Sequence, residues 1–286
     1  GEFDPILFSE KVSHPNIKMI EVKVSQGAKP GHGGMLPASK ITPEIAEIRH
    51  IPMDQDCLSP PAHSAFGSPR ELMKFCKMLR ELSGGKPVGL KICMGRTTEL
   101  MAILRAAAEG KEKGEIFDFI TIDGAEGGTG AAPNSFVNRV GAPLSEALAL
   151  TVDALRGLGI RDDVAVICSG KVLSGYDVVQ KLAIGADVCN SARGMMFALG
   201  CIQSLRCDSN SCPTGITTNV PRLENGLVVA DKWKRVYYYQ KRVSHDVVDL
   251  LGAAGCKAID EVHRGQIMMR AGGHDVLSYE ELWPTV

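Results

Sequence analysis

The sequence has little of what marks a membrane, secreted or nucleic-acid-binding protein. No apolar run approaches the ~20 residues of a membrane helix, and no signal-peptide pattern opens the chain. Aromatic residues make up 5% of the chain and the formal net charge is −1, which disfavours base stacking and a basic field for nucleic acid. Patterns for a Ser/His/Asp triad or a His/Glu zinc helix are also missing. We therefore expect a cytoplasmic protein with no nucleic-acid partner.

The composition that is present is that of a globular protein able to bury a core. The chain has 286 residues, of which 44% are hydrophobic and 23% charged. It contains 9 cysteines, an odd number scattered along the sequence rather than a compact disulfide framework. This use of cysteine indicates a reducing compartment.

Short, continuously apolar runs alternate with segments of helical periodicity. Such runs are typical of parallel strands that are covered on both faces. Helix starts are indicated by Thr42-Pro43 and by Ser68, Pro69 and Glu71, which combine a cap, an N1 proline and a capping-box glutamate. The predicted strands are residues 19–24, 88–93, 117–123, 164–169 and 186–191, with a weaker candidate at 56–59, and further helices are predicted over 144–155 and 176–184.

Repeated βα units imply an α/β fold with a parallel sheet or a closed (β/α)8 TIM-type barrel. A full barrel takes about 250 residues, whereas five or six strands are visible here. We therefore expect the chain to begin inside the barrel, with about two βα units missing upstream. Residues 1–220 would form the partial barrel, and residues 221–286 a C-terminal helical extension with helices over 231–251 and 256–269.

Three cysteines with the spacing C-x5-C-x4-C-P form the most informative run of the chain. Cys201, Cys207 and Cys212 fit neither an even-numbered disulfide framework nor a four-ligand zinc site. They fit an iron–sulfur cluster that lacks one iron corner, since each thiolate binds one iron. The alternative is three buried cysteines without a metal.

Two small-residue loops follow the last two predicted strands. Ser169 ends the first strand and Gly170 and Lys171 follow it, while Ala192 and Arg193 follow the second strand. In barrels, loops at these places often hold a phosphate on backbone N–H groups, and small residues let the chain approach the anion. Lys171 and Arg193 can add charge-assisted contacts. Ordinary turns remain the alternative.

A glycine-rich loop follows the strand that ends at Asp123. It is too rich in glycine for a helix and can lie against a planar ring or a carboxylate with its amides exposed. Glu126 within it is an acid/base candidate, unless it is a solvated loop carboxylate. The glycines of this loop are Gly124, Gly127, Gly128 and Gly130.

Lysine and histidine residues supply the remaining candidates. Lys91 lies within an apolar strand, where a lysine is costly unless it points to a site with a partner. We interpret it as a group that stabilises negative charge on a cofactor or a substrate carboxylate, and a snorkelling surface lysine is the alternative. Lys29 and His32 are the polar candidates of a second glycine-rich turn over residues 25–37.

Together these motifs resemble the FMN-binding synthase domain of glutamate synthases, in the order found there. The resemblance runs from about Val24 to Ile216, and more weakly through residues 250–262. It is carried by Gln26-Gly-Ala-Lys-Pro-Gly, Leu36-Pro37, Ser59-Pro-Pro-Ala-His63, the Lys91 strand, Gly127-Gly-Thr-Gly130 and the cysteine run.

The resemblance implies a (β/α)8 barrel that holds FMN and a 3Fe–4S cluster. In that family, 2-oxoglutarate and ammonia form 2-iminoglutarate, which is reduced to L-glutamate. By match with the family, the three cysteines are the cluster ligands. Lys91 and the glycines from Gly124 to Gly130 lie beside the flavin. The two loops that contain Gly170–Lys171 and Ala192–Arg193 hold the FMN phosphate. Glu126 stands where the family loop has an aspartate and is the acid/base candidate, and Lys29, His32 and Lys91 are substrate candidates.

The resemblance also implies partners. The ammonia would be free ammonia or would come from glutamine, with a glutaminase as a possible subunit. The electrons would come from ferredoxin or an NAD(P)H-dependent flavoprotein. The chain departs from the usual pattern at His32, at Met35, over residues 64–67 and 95–98, and at Glu126, where substrate and ammonia should arrive. Alternatives are an FMN and iron–sulfur subunit of an N-alkylglutamate synthase type of system, or a non-catalytic electron-transfer subunit.

Overall fold

The computed structural model describes residues 2–128 and 132–284 of the chain. Its strands are β1 (Ile20–Lys23), β2 (Met35–Leu36), β3 (Cys57–Leu58), β4 (Val88–Ile92), β5 (Phe119–Asp123), β6 (Ala165–Ser169), β7 (Val188–Asn190), β8 (Met268–Ala271) and β9 (Asp275–Ser278). Its helices are α1 (Pro5–Val12), α2 (Pro43–Arg49), α3 (Pro69–Leu82), α4 (Thr97–Gly110), α5 (Leu144–Gly157), α6 (Gly175–Ile184), α7 (Arg193–Leu199), α8 (Pro221–Glu224), α9 (Val229–Ala253) and α10 (Tyr279–Leu282).

A parallel five-stranded sheet forms the centre of the fold, in the order β1-β4-β5-β6-β7. Each of these strands is paired in parallel with its neighbour, and α4, α5 and α6 connect successive strands from β4 to β7. The predicted α/β fold with a parallel sheet is therefore confirmed. Closure of this sheet into an eight-stranded barrel stays a prediction, as does the division of the chain at residue 220.

The two faces of the sheet differ in chemistry. Side chains alternate along a strand, so Leu90, Ile120 and Val166 share the face that packs in the apolar core with α3, α4 and α5. Lys91, one residue further along β4, is in register with Thr121 on the opposite face. The apolar face fixes the register, and the register in turn places the polar side chains at the carboxyl ends of the strands.

Local sequence signals explain why the helices begin where they do. Ser68 accepts a hydrogen bond from the Glu71 N–H at 3.3 Å and Pro69 is the first residue of α3, as predicted. Ser174 and Asp177 form a reciprocal capping box at the start of α6. This cap holds the loop between β6 and α6 in a defined path.

Two sequence-based predictions of secondary structure need correction. Residues 56–59 do contain a strand, β3, but it pairs antiparallel with β2 outside the central sheet. Residues 256–269 were expected to be helical, and they form two short 3-10 turns, Ile259–Glu261 and Arg264–Gln266, that lead into the β8–β9 hairpin. Gly272, at a φ of 63° in the hairpin turn, adopts a conformation that a helix does not allow. The helical prediction for residues 256–269 is wrong, whereas the helix predicted over 231–251 is present as α9.

Arg264 fastens this C-terminal segment to the sheet helices. Its guanidinium makes two bonds of 2.8 and 2.9 Å to the Asp153 carboxylate of α5 and also donates to the Ile184 and Trp283 carbonyls. The Arg264 side chain is 4% exposed and that of Asp153 is 17% exposed. A nearly buried, bidentate ion pair thus joins the C-terminal segment to α5 and α6.

Candidate active site

A cavity of about 720 Å³ lies at the carboxyl ends of β5, β6 and β7. This volume is within the range of pockets that hold small molecules and cofactors, and this edge of a parallel sheet is where such ligands bind. Its lining residues are Gln26, Lys91, Asp123, Glu126, Gly127, Gly128, Asn134, Val137, Asn138, Ser169, Gly170, Lys171, Asn190, Ala192, Arg193, Met196, Phe197, Cys201, Gln203, Leu205 and Cys207.

Asp123 is the centre of a polar network at the cavity wall. Lys91 Nζ lies 3.3 Å from Asp123 Oδ2, which also accepts the Gly27 N–H at 2.8 Å. Ser169 Oγ donates to Asp123 Oδ1 at 2.7 Å. The carboxylate therefore binds groups from β4, from β6 and from the glycine-rich turn, and it orients the Lys91 ammonium at the cavity. Asp123 was not among the residues predicted from the sequence, although its place at the end of a buried strand was a usable signal.

The Glu126 carboxylate is held at the start of α5. Both of its oxygens accept the Leu144 N–H, at 3.0 and 3.1 Å, and its own carbonyl accepts a bond from Arg193 Nη2 at 3.4 Å. Negative charge is favourable at a helix N-terminus. Glu126 is thus fixed beside the cavity rather than solvated on a free loop.

The glycine-rich loop lies directly against the turn that contains Gly27. A Cβ at Gly27 would lie 2.8 Å from both the Gly124 carbonyl oxygen and the Gly127 Cα, so the two segments touch through backbone atoms. Gly127 and Gly128 line the cavity, whereas Gly124 lies outside its lining and donates its N–H to the Ser169 carbonyl at 2.8 Å. Gly130 falls outside the described residues.

The two predicted phosphate loops face the same cavity. Gly170 has a φ of 140° and Lys171 a φ of 51°, so the chain turns sharply where it leaves β6. Lys171 Nζ donates to Asn138 Oδ1 at 2.6 Å, and Ala192 and Arg193 lie across the cavity at the start of α7. Small residues and two cations at one place provide the elements of an anion-binding loop pair.

Lys29 and His32 do not lie among the described residues that line the cavity. Lys29 is 1% exposed, and burial together with the positive charge of Lys23 lowers the pKa of its ammonium. His32 donates from Nδ1 to the Gly33 carbonyl at 2.7 Å and packs edge-on against Phe136. Their assignment to the substrate site stays a prediction.

The three-cysteine segment forms one end of the cavity. Cys201 and Cys207 line it, and Cys212 is buried outside the described lining. Desolvation raises the pKa of the Cys212 thiol, but hydrogen bonds with Thr214 and Thr217 outweigh it and lower that pKa to about 6. A thiol with this pKa is largely thiolate at neutral pH, the form that binds metals.

The sulfur atoms of these cysteines are spread apart. They do not form, within the described part of the chain, a group whose ligand atoms all lie within 4.8 Å of one another. A single ion would need such a group, whereas a cluster does not, because each thiolate binds a different iron. Gln203, Leu205 and Asn210 have φ values of 56–57°, so the segment keeps a backbone that non-glycine residues rarely adopt.

Contacts outside the segment hold this backbone in place. Asn210 Nδ2 donates to the Ser39 carbonyl at 2.8 Å, and Asn219 Nδ2 donates to the Lys40 carbonyl at 2.9 Å. Lys40 in turn binds the Cys207 carbonyl. The turn at Ala38–Lys40 therefore anchors the cysteine segment, a contact that no sequence pattern indicated.

A family sequence model described as a conserved region in glutamate synthase matches residues 10–257. The chain belongs to the glutamate synthase family. It is 35% identical over 282 residues to the glutamate synthase large subunit-like protein YerD of Bacillus subtilis, a match that covers 99% of this chain and 53% of that protein. It is 36% identical over 255 residues to an archaeal glutamate synthase (NADPH) of Methanocaldococcus jannaschii, covering 89% of this chain and 49% of the relative.

This glutamate synthase family chain spans about half the length of the curated relatives it matches. Among solved structures, it is similar to a mutant flavocytochrome b2 with benzoylformate, with a TM-score of 0.52 and 14% sequence identity. That match covers 91% of this chain and 49% of the other. At this level of identity the likeness concerns the fold alone. No helix among residues 2–128 and 132–284 is long and apolar enough to cross a membrane.

Proposed function

We propose that this chain forms the FMN- and iron–sulfur-binding part of a glutamate synthase that converts 2-oxoglutarate to L-glutamate. The observation that carries this proposal is a single cavity lined by Lys91, Glu126, Lys171 and Arg193 and by two cysteines of the three-cysteine segment. Membership of the glutamate synthase family supports the same activity.

The residues at the cavity fit a flavin mononucleotide. The Gly170 turn and the Ala192–Arg193 segment would hold the phosphate, because they combine small residues with two cations. The Gly127–Gly128 backbone, which lines the cavity, would lie against the ring system. Lys91, aligned by Asp123, would place its positive charge near the ring or the substrate carboxylate.

The cysteine segment fits an iron–sulfur cluster of the 3Fe–4S type. Cys201, Cys207 and Cys212 are all free thiols, and hydrogen bonding already favours the thiolate of Cys212. When bound, FMN would supply hydride transfer and the cluster would supply single electrons. The anchored backbone keeps the ligands next to Met196 and Phe197, which cover the same end of the cavity.

The chain's own residues would bind and orient the substrate. Condensation of ammonia with the ketone of 2-oxoglutarate releases water and gives 2-iminoglutarate, and two electrons and two protons then complete L-glutamate. The Lys91 ammonium would bind a substrate carboxylate, and Glu126, fixed by the Leu144 N–H, is placed to exchange a proton with the amino nitrogen. Ferredoxin or an NAD(P)H-dependent flavoprotein would supply the electrons, and a glutaminase subunit or free ammonium the nitrogen.

An anaerobic preparation of the full-length protein tests the proposal. We expect flavin absorbance, bound iron, and formation of L-glutamate from 2-oxoglutarate and ammonium by the chemically reduced enzyme. Product formed with methylamine but not with ammonium would favour the N-alkylglutamate alternative. Cofactors that are present and reoxidise without either product would favour an electron-transfer subunit, and a protein without flavin and iron would contradict the proposal.

We expect Cys207→Ser to lower the iron content from about three atoms per chain to near zero, because a serine oxygen is a poor replacement for a thiolate in an iron–sulfur cluster. Iron analysis and visible absorbance of the anaerobic protein measure this. Cys57→Ser is the matched control, since Cys57 is also a free, half-buried cysteine but lies in β3, outside the cavity lining. Unchanged iron in the Cys207 variant would show that this cysteine is not a ligand.

A further inference from the structure

A single tyrosine of α9 contacts both predicted phosphate loops. The Tyr239 hydroxyl donates a hydrogen bond to the carbonyl of Leu173, in the loop that begins at Gly170. A side chain at Gly194 would collide with the same hydroxyl oxygen, because its Cβ would lie 1.9 Å from that oxygen. Gly194 directly follows Arg193. The tip of Tyr239 therefore lies between the loop after β6 and the first turn of α7.

The whole of α9 supports this position. A Cβ at Gly175, the first residue of α6, would lie 2.6 Å from the Asp246 Cβ, and a Cβ at Gly200, just after α7, would lie 3.1 Å from Lys232 Nζ. The helix thus runs close to the backbone of both helices that follow the two loops. Tyr239 is not among the described residues that line the cavity, so it can influence a bound ligand only through the loops.

We propose that Tyr239 is a positioning residue that sets the spacing of the two phosphate loops and thereby the affinity of the cavity for a flavin phosphate. This inference rests on the proposed function, because it takes FMN as the ligand. Lys171, at a φ of 51°, is in a backbone conformation that persists only when surrounding contacts hold it. The Tyr239 hydrogen bond to Leu173 is such a contact, two residues away.

Tyr239→Phe removes the hydroxyl and keeps the ring, and Tyr238→Phe is the matched control because Tyr238 is 65% exposed on the same helix. The two probes are FMN and riboflavin, which share the ring system and differ by the phosphate. In the full-length protein, we expect Tyr239→Phe to raise the Kd for FMN about fivefold, the effect of one hydrogen bond. The Kd for riboflavin should be unchanged, and Tyr238→Phe should bind both as the wild type does.

Gly194→Ala provides an independent test from the other side of the contact. We expect the added methyl to collide with the Tyr239 hydroxyl, to displace one loop and to weaken FMN binding. Combining it with Tyr239→Leu removes both the hydroxyl oxygen and the Cζ, which would lie 1.9 and 2.6 Å from the added methyl, so the double variant should bind FMN more tightly than Gly194→Ala alone. Absence of this rescue would overturn the contact between Tyr239 and Gly194 as the cause of the weaker FMN binding.

The outcomes separate this inference from the proposed function. Unchanged FMN affinity in Tyr239→Phe, or equal weakening of FMN and riboflavin, would overturn the positioning role while FMN binding by the wild type still supports the proposed function. A wild-type protein that binds no FMN would overturn both.

Discussion

Replacing Lys91 with methionine is expected to lower kcat/KM for 2-oxoglutarate about 100- to 1000-fold, the effect of removing one preorganised charged group from an active site. The ammonium lies at the cavity, 3.3 Å from Asp123 Oδ2, and its side chain is 25% exposed. Methionine keeps much of the length and apolar character of the stem and removes the charge. Steady-state glutamate formation by the reduced full-length enzyme measures the loss.

A double variant separates this catalytic effect from a loss of stability. Lys91→Met leaves the Asp123 carboxylate without its cation, although the Gly27 N–H and the Ser169 hydroxyl still bind it. Adding Asp123→Asn removes the charge that was left behind, so thermal stability should recover while activity should not. Full activity in Lys91→Met would contradict a catalytic role for Lys91. If activity returned together with stability in the double variant, the role of Lys91 would be structural.

Replacing Arg264 with leucine is expected to lower the free energy of unfolding by about 3–5 kcal/mol, because one partner of a nearly buried ion pair is removed. The variant leaves the Asp153 carboxylate without its bidentate partner and the Ile184 and Trp283 carbonyls without that donor. Denaturant titration of the full-length protein, followed by circular dichroism, measures the change.

Arg242→Leu is the matched control for this prediction. Arg242 also pairs with an aspartate, Asp246, at 2.9 Å, but its side chain is 74% exposed. Its loss should cost about 1 kcal/mol or less, as for other surface ion pairs. Replacing both Arg264 and Asp153 with leucine should recover much of the lost stability, since the buried carboxylate is removed together with its guanidinium partner and only the exposed Arg156 loses an ion pair. Equal losses of unfolding free energy in Arg264→Leu and Arg242→Leu would contradict the prediction that the buried ion pair contributes more to stability than the exposed one.

The parts of the fold that were predictable are those with local signals. Ser68, Pro69 and Glu71 start α3 through contacts within four residues, and the apolar runs at β4, β5 and β6 form strands because they can be buried on a covered sheet. The hairpin at 268–278 was missed, although Gly272 and Gly273 marked its turn, because the preceding residues have a spacing compatible with a helix.

The candidate site was predictable where the type of a residue and its position in the sequence already indicate its chemistry. Cys201, Cys207 and Cys212 were recognisable by their spacing, and Lys91 by its cost in an apolar strand. Asp123 was not recognisable as the partner of Lys91, because the two lie on adjacent strands and are 32 positions apart in sequence. The place of Lys29 outside the cavity lining was equally hidden, because it depends on how its turn packs.

The sequence by itself determined the α/β class, several helix starts and most of the candidate site residues, Asp123 excepted, because caps, apolar periodicity and cysteine spacing act over a few residues. The tertiary structure alone decided which of these residues meet. The register of β4, β5 and β6 brings Lys91, Asp123 and Ser169 together, and the packing of α9 brings Tyr239 to both predicted phosphate loops. Such contacts depend on side-chain packing between distant segments, which no local pattern encodes.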